Sequence, residues 1–196
     1  MTPPTLPGPT HDAAIAATRQ WLLRAVIGLN LCPFAKSVYV KEQVRYVVSD
    51  ARNADALLGD LERELHGLAE AEPAKVDTTL LIHPYTLTAF ADFTDFLDLV
   101  DIVVRTRGLA GVLQVASFHP DFVFVDTAAD DITNYTNRSP YPTLHLIRET
   151  SINRAVEAFP EASMIYERNI ETLRKIGLDG WKALDVDAPP GGGFGK

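Results

Sequence analysis

TTLLIHPYTLTAFADFTDFLDLVDIVVRTRGLAGVLQVASFHP, residues 78–120, is the stretch that decides the fold. Thr78 to Ile82 is a short, almost continuously apolar run closed by His83-Pro84, which is how a buried strand ends. Thr88 then opens a helix in which Phe90, Phe93, Phe96, Leu97, Val100 and Val104 recur at helical spacing, and Gly108 stops it. Val112 to Phe118 is a second strand, and it too ends in His-Pro, at His119-Pro120. A strand, a helix and a strand in that order call for a sheet with helices packed on it.

The flanking chain extends the same pattern. Upstream, Asp12 is placed to cap a helix whose apolar stripe is Ile15, Trp21, Leu22, Ala25, Val26 and Leu29, with Gly28 and Asn30 marking its end. Val44 to Ser49 reads as a strand. Asn53 to Ala71 reads as a helix with Leu57, Leu58, Leu61, Leu65 and Leu68 on one side. Downstream, Phe122 to Val125 fits either a short strand or an extended loop, and Ala129 to Tyr135 a short helix. Thr143 to Arg148 is a further strand. Thr150-Ser151 caps a helix through Phe159, and Pro160 starts the last long helix, expected to end near Gly177. The expectation is an α/β domain with a mainly parallel or mixed sheet of four to five strands covered by helices; an α+β ferredoxin-like two-layer sandwich is the alternative.

One domain accounts for 196 residues. The folded body is expected over 11–186, between a Pro-rich, disordered head at 1–10 and a flexible Pro/Gly tail at 187–196. The opening MTPPTLPGPTH has four prolines and neither a basic nor an apolar region of the secretory kind. No apolar run approaches the roughly 20 residues of a membrane span. Cys32 stands alone, which suits a reducing compartment; a cytoplasmic protein, away from membranes, is expected. A formal net charge of −8 with no basic run makes nucleic acid a poor partner, although a few local arginines can still hold a small anion. The GGGFGK ending is not a phosphate loop, because Pro190 occupies the first glycine position.

In a parallel sheet, His83 and His119 would both sit at carboxyl ends of strands, where open α/β sheets bind ligands, and adjacent strands would bring them together. Asp121, two residues on, is placed to orient His119 as an acid/base. The densest polar stretch, Asn134-Tyr135-Thr136-Asn137-Arg138-Ser139-Pro140-Tyr141-Pro142, is stiffened by two prolines. It presents Asn137, Arg138 and Ser139 to a substrate, or else forms a rigid turn that satisfies its own backbone. On the following strand Arg148 joins the anion-holding set, against the plainer reading of a structural ion pair with Glu149. His145, mid-strand, reads as a core histidine. Cys32 at the head of a Pro33-led turn near Lys36 has a reactive-thiol spacing, against a plainer reading as a buried thiol. No CxxC or HxxxH pair marks a metal site, and nothing selects a cofactor or an oligomeric state.

Three segments, Gly28-Leu29-Asn30-Leu31-Cys32-Pro33-Phe34-Ala35, Ser117-Phe118-His119-Pro120, and Asn137 to Pro142 running into His145-Leu146-Ile147-Arg148-Glu149, resemble the bacterial family DUF1415. The resemblance spans about Thr18 to Gly177. It brings no reaction, cofactor or catalytic residue with it. The residues themselves suggest a small-molecule enzyme with a His/Arg pocket for an anionic substrate. The alternatives are a noncatalytic binder of an anionic metabolite, a metal-dependent hydrolase using the histidines, or thiol chemistry at Cys32.

Overall fold

A computed structural model describes residues 8–158 and 164–187. The expectations for the head at 1–7, for Phe159 and Pro160, and for the tail from 188 lie outside the described residues. Residues 8–10 are held against the body: Tyr85 Oη donates to the Pro9 carbonyl (2.5 Å), and Thr10, rather than Asp12, caps the first helix by accepting from the Ala13 N–H.

The first helix, α1 (His11–Trp21), widens into a π-helical segment over Leu22–Ile27. It stops where the sequence suggests. A Cβ on Gly28 would collide with the Arg24 carbonyl, and Asn30 takes a positive φ of 56°. After a short α2 (Ala35–Val40) come β1 (Val44–Val48), α3 (Ala54–Glu70), β2 (Thr78–Ile82), α4 (Phe90–Thr106) and β3 (Leu113–Phe118). The 122–125 segment is loop, and the short helix is a single 3₁₀ stretch at Ile132–Thr136. Then β4 (Thr143–Arg148) runs directly into α5 (Glu149–Ala158), and α6 (Ile165–Ala183) follows. Gly177 does interrupt α6, at φ 61°, but the chain resumes helical conformation beyond it to Ala183.

The sheet order is β1-β2-β4-β3. β1 and β2 are parallel; β4 is antiparallel to both β2 and β3. The sheet is therefore mixed. Helices lie on both of its faces, which replaces the two-layer sandwich alternative with a helix–sheet–helix arrangement. On one face Leu81, Leu144, Leu146 and Leu113 meet Leu57, Leu61, Leu65 and Leu68 of α3 and Phe93, Phe96, Val100 and Val103 of α4. On the other, Val44, Tyr46 and Phe118 meet Trp21, Leu22, Ala25 and Val26 of the first helical run and Leu173 and Trp181 of α6. Among the described residues no helix is long and apolar enough to cross a membrane.

The edge strand β3 carries no charge or proline to deter pairing with another chain. It is blunted from outside. Because Glu149 N–H donates to the Val112 carbonyl (2.9 Å), the alternation of the ladder turns Ser117 and His119 outward. The Asn137 side-chain amide caps the Ser117 carbonyl (3.2 Å), and the Asn137 carbonyl accepts the His119 N–H (3.2 Å).

Candidate functional site

β1, β2 and β3 all run the same way, so His83 and His119 do leave the sheet at one end. They are not on adjacent strands: β4 lies between them, because an antiparallel strand was inserted where a parallel neighbour was expected. The histidines meet instead through one aromatic ring of α4. Phe93 stacks against His83 (centroids 5.7 Å) and tilts against His119 (5.1 Å). Both are fully buried.

The hydrogen bonds of His119 assign its tautomer. Nδ1 accepts the Asp121 backbone N–H (3.0 Å), so Nε2 carries the proton and donates to the Leu87 carbonyl (3.2 Å). Burial lowers its pKa, which leaves the ring neutral near pH 7. Asp121 thus orients His119 through its backbone, not its exposed carboxylate. In His83, Nδ1–H donates to the Thr86 carbonyl (3.1 Å), Nε2 is buried without a partner among the described residues, and desolvation lowers the pKa to about 4. His145 bonds Thr78 Oγ1 (2.6 Å), and its pKa is likewise lowered to about 4 by burial.

Arg148, expected to help hold an anion, is turned to backbone carbonyls instead and lies outside the lining of the cavity described below. It reaches across the α3 face of the sheet to the end of that helix. Its Nη2 lies within hydrogen-bond distance of the Leu68, Ala71 (2.6 Å) and Val76 carbonyls. α3 has no basic residue in its last turn, so Arg148 supplies the cation its C-terminus lacks. Ser139 satisfies its own turn, Oγ–H donating to the Tyr141 carbonyl (2.7 Å). Cys32 lies before Phe34, which caps α2, and so is not itself the N-cap. Burial raises its thiol pKa; the Phe34 and Ala35 N–H groups pull the other way but count for less. That is the opposite of an activated thiolate.

Arg138 differs from these. Tyr135, three residues before it on the 3₁₀ turn, puts its ring under the guanidinium at 4.2 Å. Nε donates to the Phe122 carbonyl (3.2 Å) and Nη2 to the Ala129 carbonyl (2.7 Å). The loop supplying those carbonyls is itself built on Asn134. This fully buried side chain accepts from the Phe124 N–H (2.9 Å) and Thr127 Oγ1 (2.7 Å) and donates to the Ala128 carbonyl (2.8 Å). One edge of the guanidinium is thus fixed by backbone. Nη1 has no acceptor, and no carboxylate pairs with the charge, among the described residues.

Arg138 lines a cavity of about 90 Å³. The loop contributes Pro120, Tyr135 and Ser139 as well, α1 contributes Trp21, and α6 with the residues just after it contributes Trp181, Val186 and Asp187. Trp181 packs on Tyr135 (5.0 Å), and its Nε1–H is buried without an acceptor among the described residues. A larger open groove of about 450 Å³ near Gly59, Glu62, Arg63, His66, Arg107 and Leu109 is unlike it, because each basic side chain there has a carboxylate beside it. Arg107 pairs with Glu62 (2.7 Å), Arg63 with Asp60, and His66 with Glu70 (3.2 Å).

Of the residues singled out from sequence, the structure brings Arg138 and Ser139 to one cavity; His119 is not in its lining, its ring being sealed against Phe90 and Phe93 of α4. The structure also leaves His83, Asp121, Asn137, Arg148 and Cys32 out of that lining. Tyr135 was within reach of sequence reasoning through its three-residue spacing from Arg138. Trp181 and Asp187 carry no local signal. Among the described residues no three His, Cys, Asp or Glu side chains are grouped to hold a metal ion.

A family model described as protein of unknown function (DUF1415) matches residues 13–183. No curated protein and no solved structure matches the chain.

Proposed function

We propose that this chain, which belongs to the DUF1415 family, binds a small anionic metabolite, a carboxylate or phosphate, in the Arg138 cavity. One observation carries this reading. A guanidinium held by two carbonyls and a tyrosine ring keeps its charge and its end-on edge unneutralised at a cavity wall. Holding an arginine rigid costs side-chain entropy in advance of binding, so less is lost when an anion docks on it. In a protein of net charge −8, an arginine with no carboxylate in ion-pair contact is where a small anion is attracted locally.

The geometry supports binding over acid/base chemistry at His119, whose two ring nitrogens are both taken up by backbone. The test is a thermal melt with phosphate, sulfate, acetate and citrate. A ligand at about a hundredfold excess over Kd adds about 2.7 kcal/mol, a Tm rise of about 5 to 10 °C for a chain of this size. We expect such a rise in the wild type and in His119→Gln, and its loss in Arg138→Gln. If no anion raises Tm, or if Arg138→Gln responds like the wild type, the reading fails; loss in His119→Gln restores the enzyme reading.

A further inference from the structure

Resting on the anion reading of the Arg138 cavity, we infer that its ligand is a small zwitterion, an amino carboxylate. The cavity is charged at two places with opposite signs. Arg138 lines it, and so does Asp187, whose carboxylate has no hydrogen-bond or ion-pair partner among the described residues. A ligand that is only an anion gains the arginine but brings its negative charge toward Asp187. One that also carries an ammonium group gains both, and it meets no net repulsion from an acidic protein.

The rest of the wall fits the same chemistry. Trp21 and Trp181 line the space, and tryptophan faces attract an alkylammonium. Size narrows the class further. About 90 Å³ of water-accessible space suits a small ligand. That is room for a carboxylate and an ammonium joined through one or two carbons. A longer substituent has to leave through the mouth.

Both tryptophans of the chain line this cavity, so intrinsic tryptophan fluorescence reads it directly. Titrations with L-alanine, propionate and ethylamine separate the zwitterion from each of its halves. We expect alanine to bind at least tenfold more tightly than propionate or ethylamine. Asp187→Asn brings alanine down to the affinity of propionate without weakening propionate itself. Equal affinity for alanine and propionate, or an alanine preference untouched by Asp187→Asn, overturns the zwitterion assignment. Silence toward all three overturns it too. The anion reading is judged separately, on whether the phosphate, sulfate, acetate or citrate response is lost in Arg138→Gln.

Discussion

Arg138 and Arg148 are ten residues apart in one stretch of sequence, and what separates their roles is whom each guanidinium touches. Arg148 turns Nη2 to the carbonyls at the end of α3, keeps Nε buried without a partner among the described residues, and is 7% exposed. Arg138 is held by carbonyls along one edge and opens onto a cavity with the other. Residue type and the two prolines made the segment legible as a stiff, arginine-bearing loop; the donors' destinations depend on carbonyls up to 80 residues away, which no local pattern encodes. The same limit applies to the histidines. A His-Pro strand end is visible in sequence, whereas the closing of Phe93 over both rings is not. Their burial has a consequence for stability. His83 and His145 keep pKa values of about 4 when folded, against an ordinary value near 6.5. Above pH 6.5 both states are neutral. Between 6.5 and 4 the unfolded chain takes up protons that the folded rings refuse, so stability falls with falling pH. Each such histidine contributes about 1.4 kcal/mol per pH unit. Urea unfolding between pH 7 and 4.5 should show a slope shallower by about that amount in His145→Gln; an unchanged slope contradicts the buried, neutral assignment.

At the scale of elements, periodicity placed β1, α3, β2, α4, β3 and β4 to within two residues or so, because each buries one face and the burial is written in its own spacing. Strand order is a property of pairs. The direction of β4 was not legible because the 24 residues between β3 and β4, Asp121 included, carry no regular helix of crossover length, only a 3₁₀ stretch. Such a connection returns the chain antiparallel. α3 ends on a helix terminus whose last carbonyls are covered from β4 rather than from its own sequence. Arg148→Met removes that cover while keeping the bulk, and it leaves buried carbonyls without donors. The expected loss is about 2 to 3 kcal/mol, read by chemical denaturation, with no effect on the response to anions. A variant as stable as the wild type would contradict the capping role.

Across the whole molecule, the cavity exists because three distant segments converge at one end of the sheet: the end of α1, the loop between β3 and β4, and the last helix with the residues just beyond it. The loop alone was readable as a candidate site. Trp21 was readable only as core and Asp187 only as tail, since each acquires its place by packing. The account stands on that convergence, and the two tryptophan side chains mark it. In a ¹H–¹⁵N spectrum the indole resonances of Trp21 and Trp181 should move on titration with phosphate or acetate and stay fixed in Arg138→Gln. Indoles that remain in place while the anion shifts resonances around Arg63 and Arg107 would put the ligand in the wrong part of the protein and contradict it.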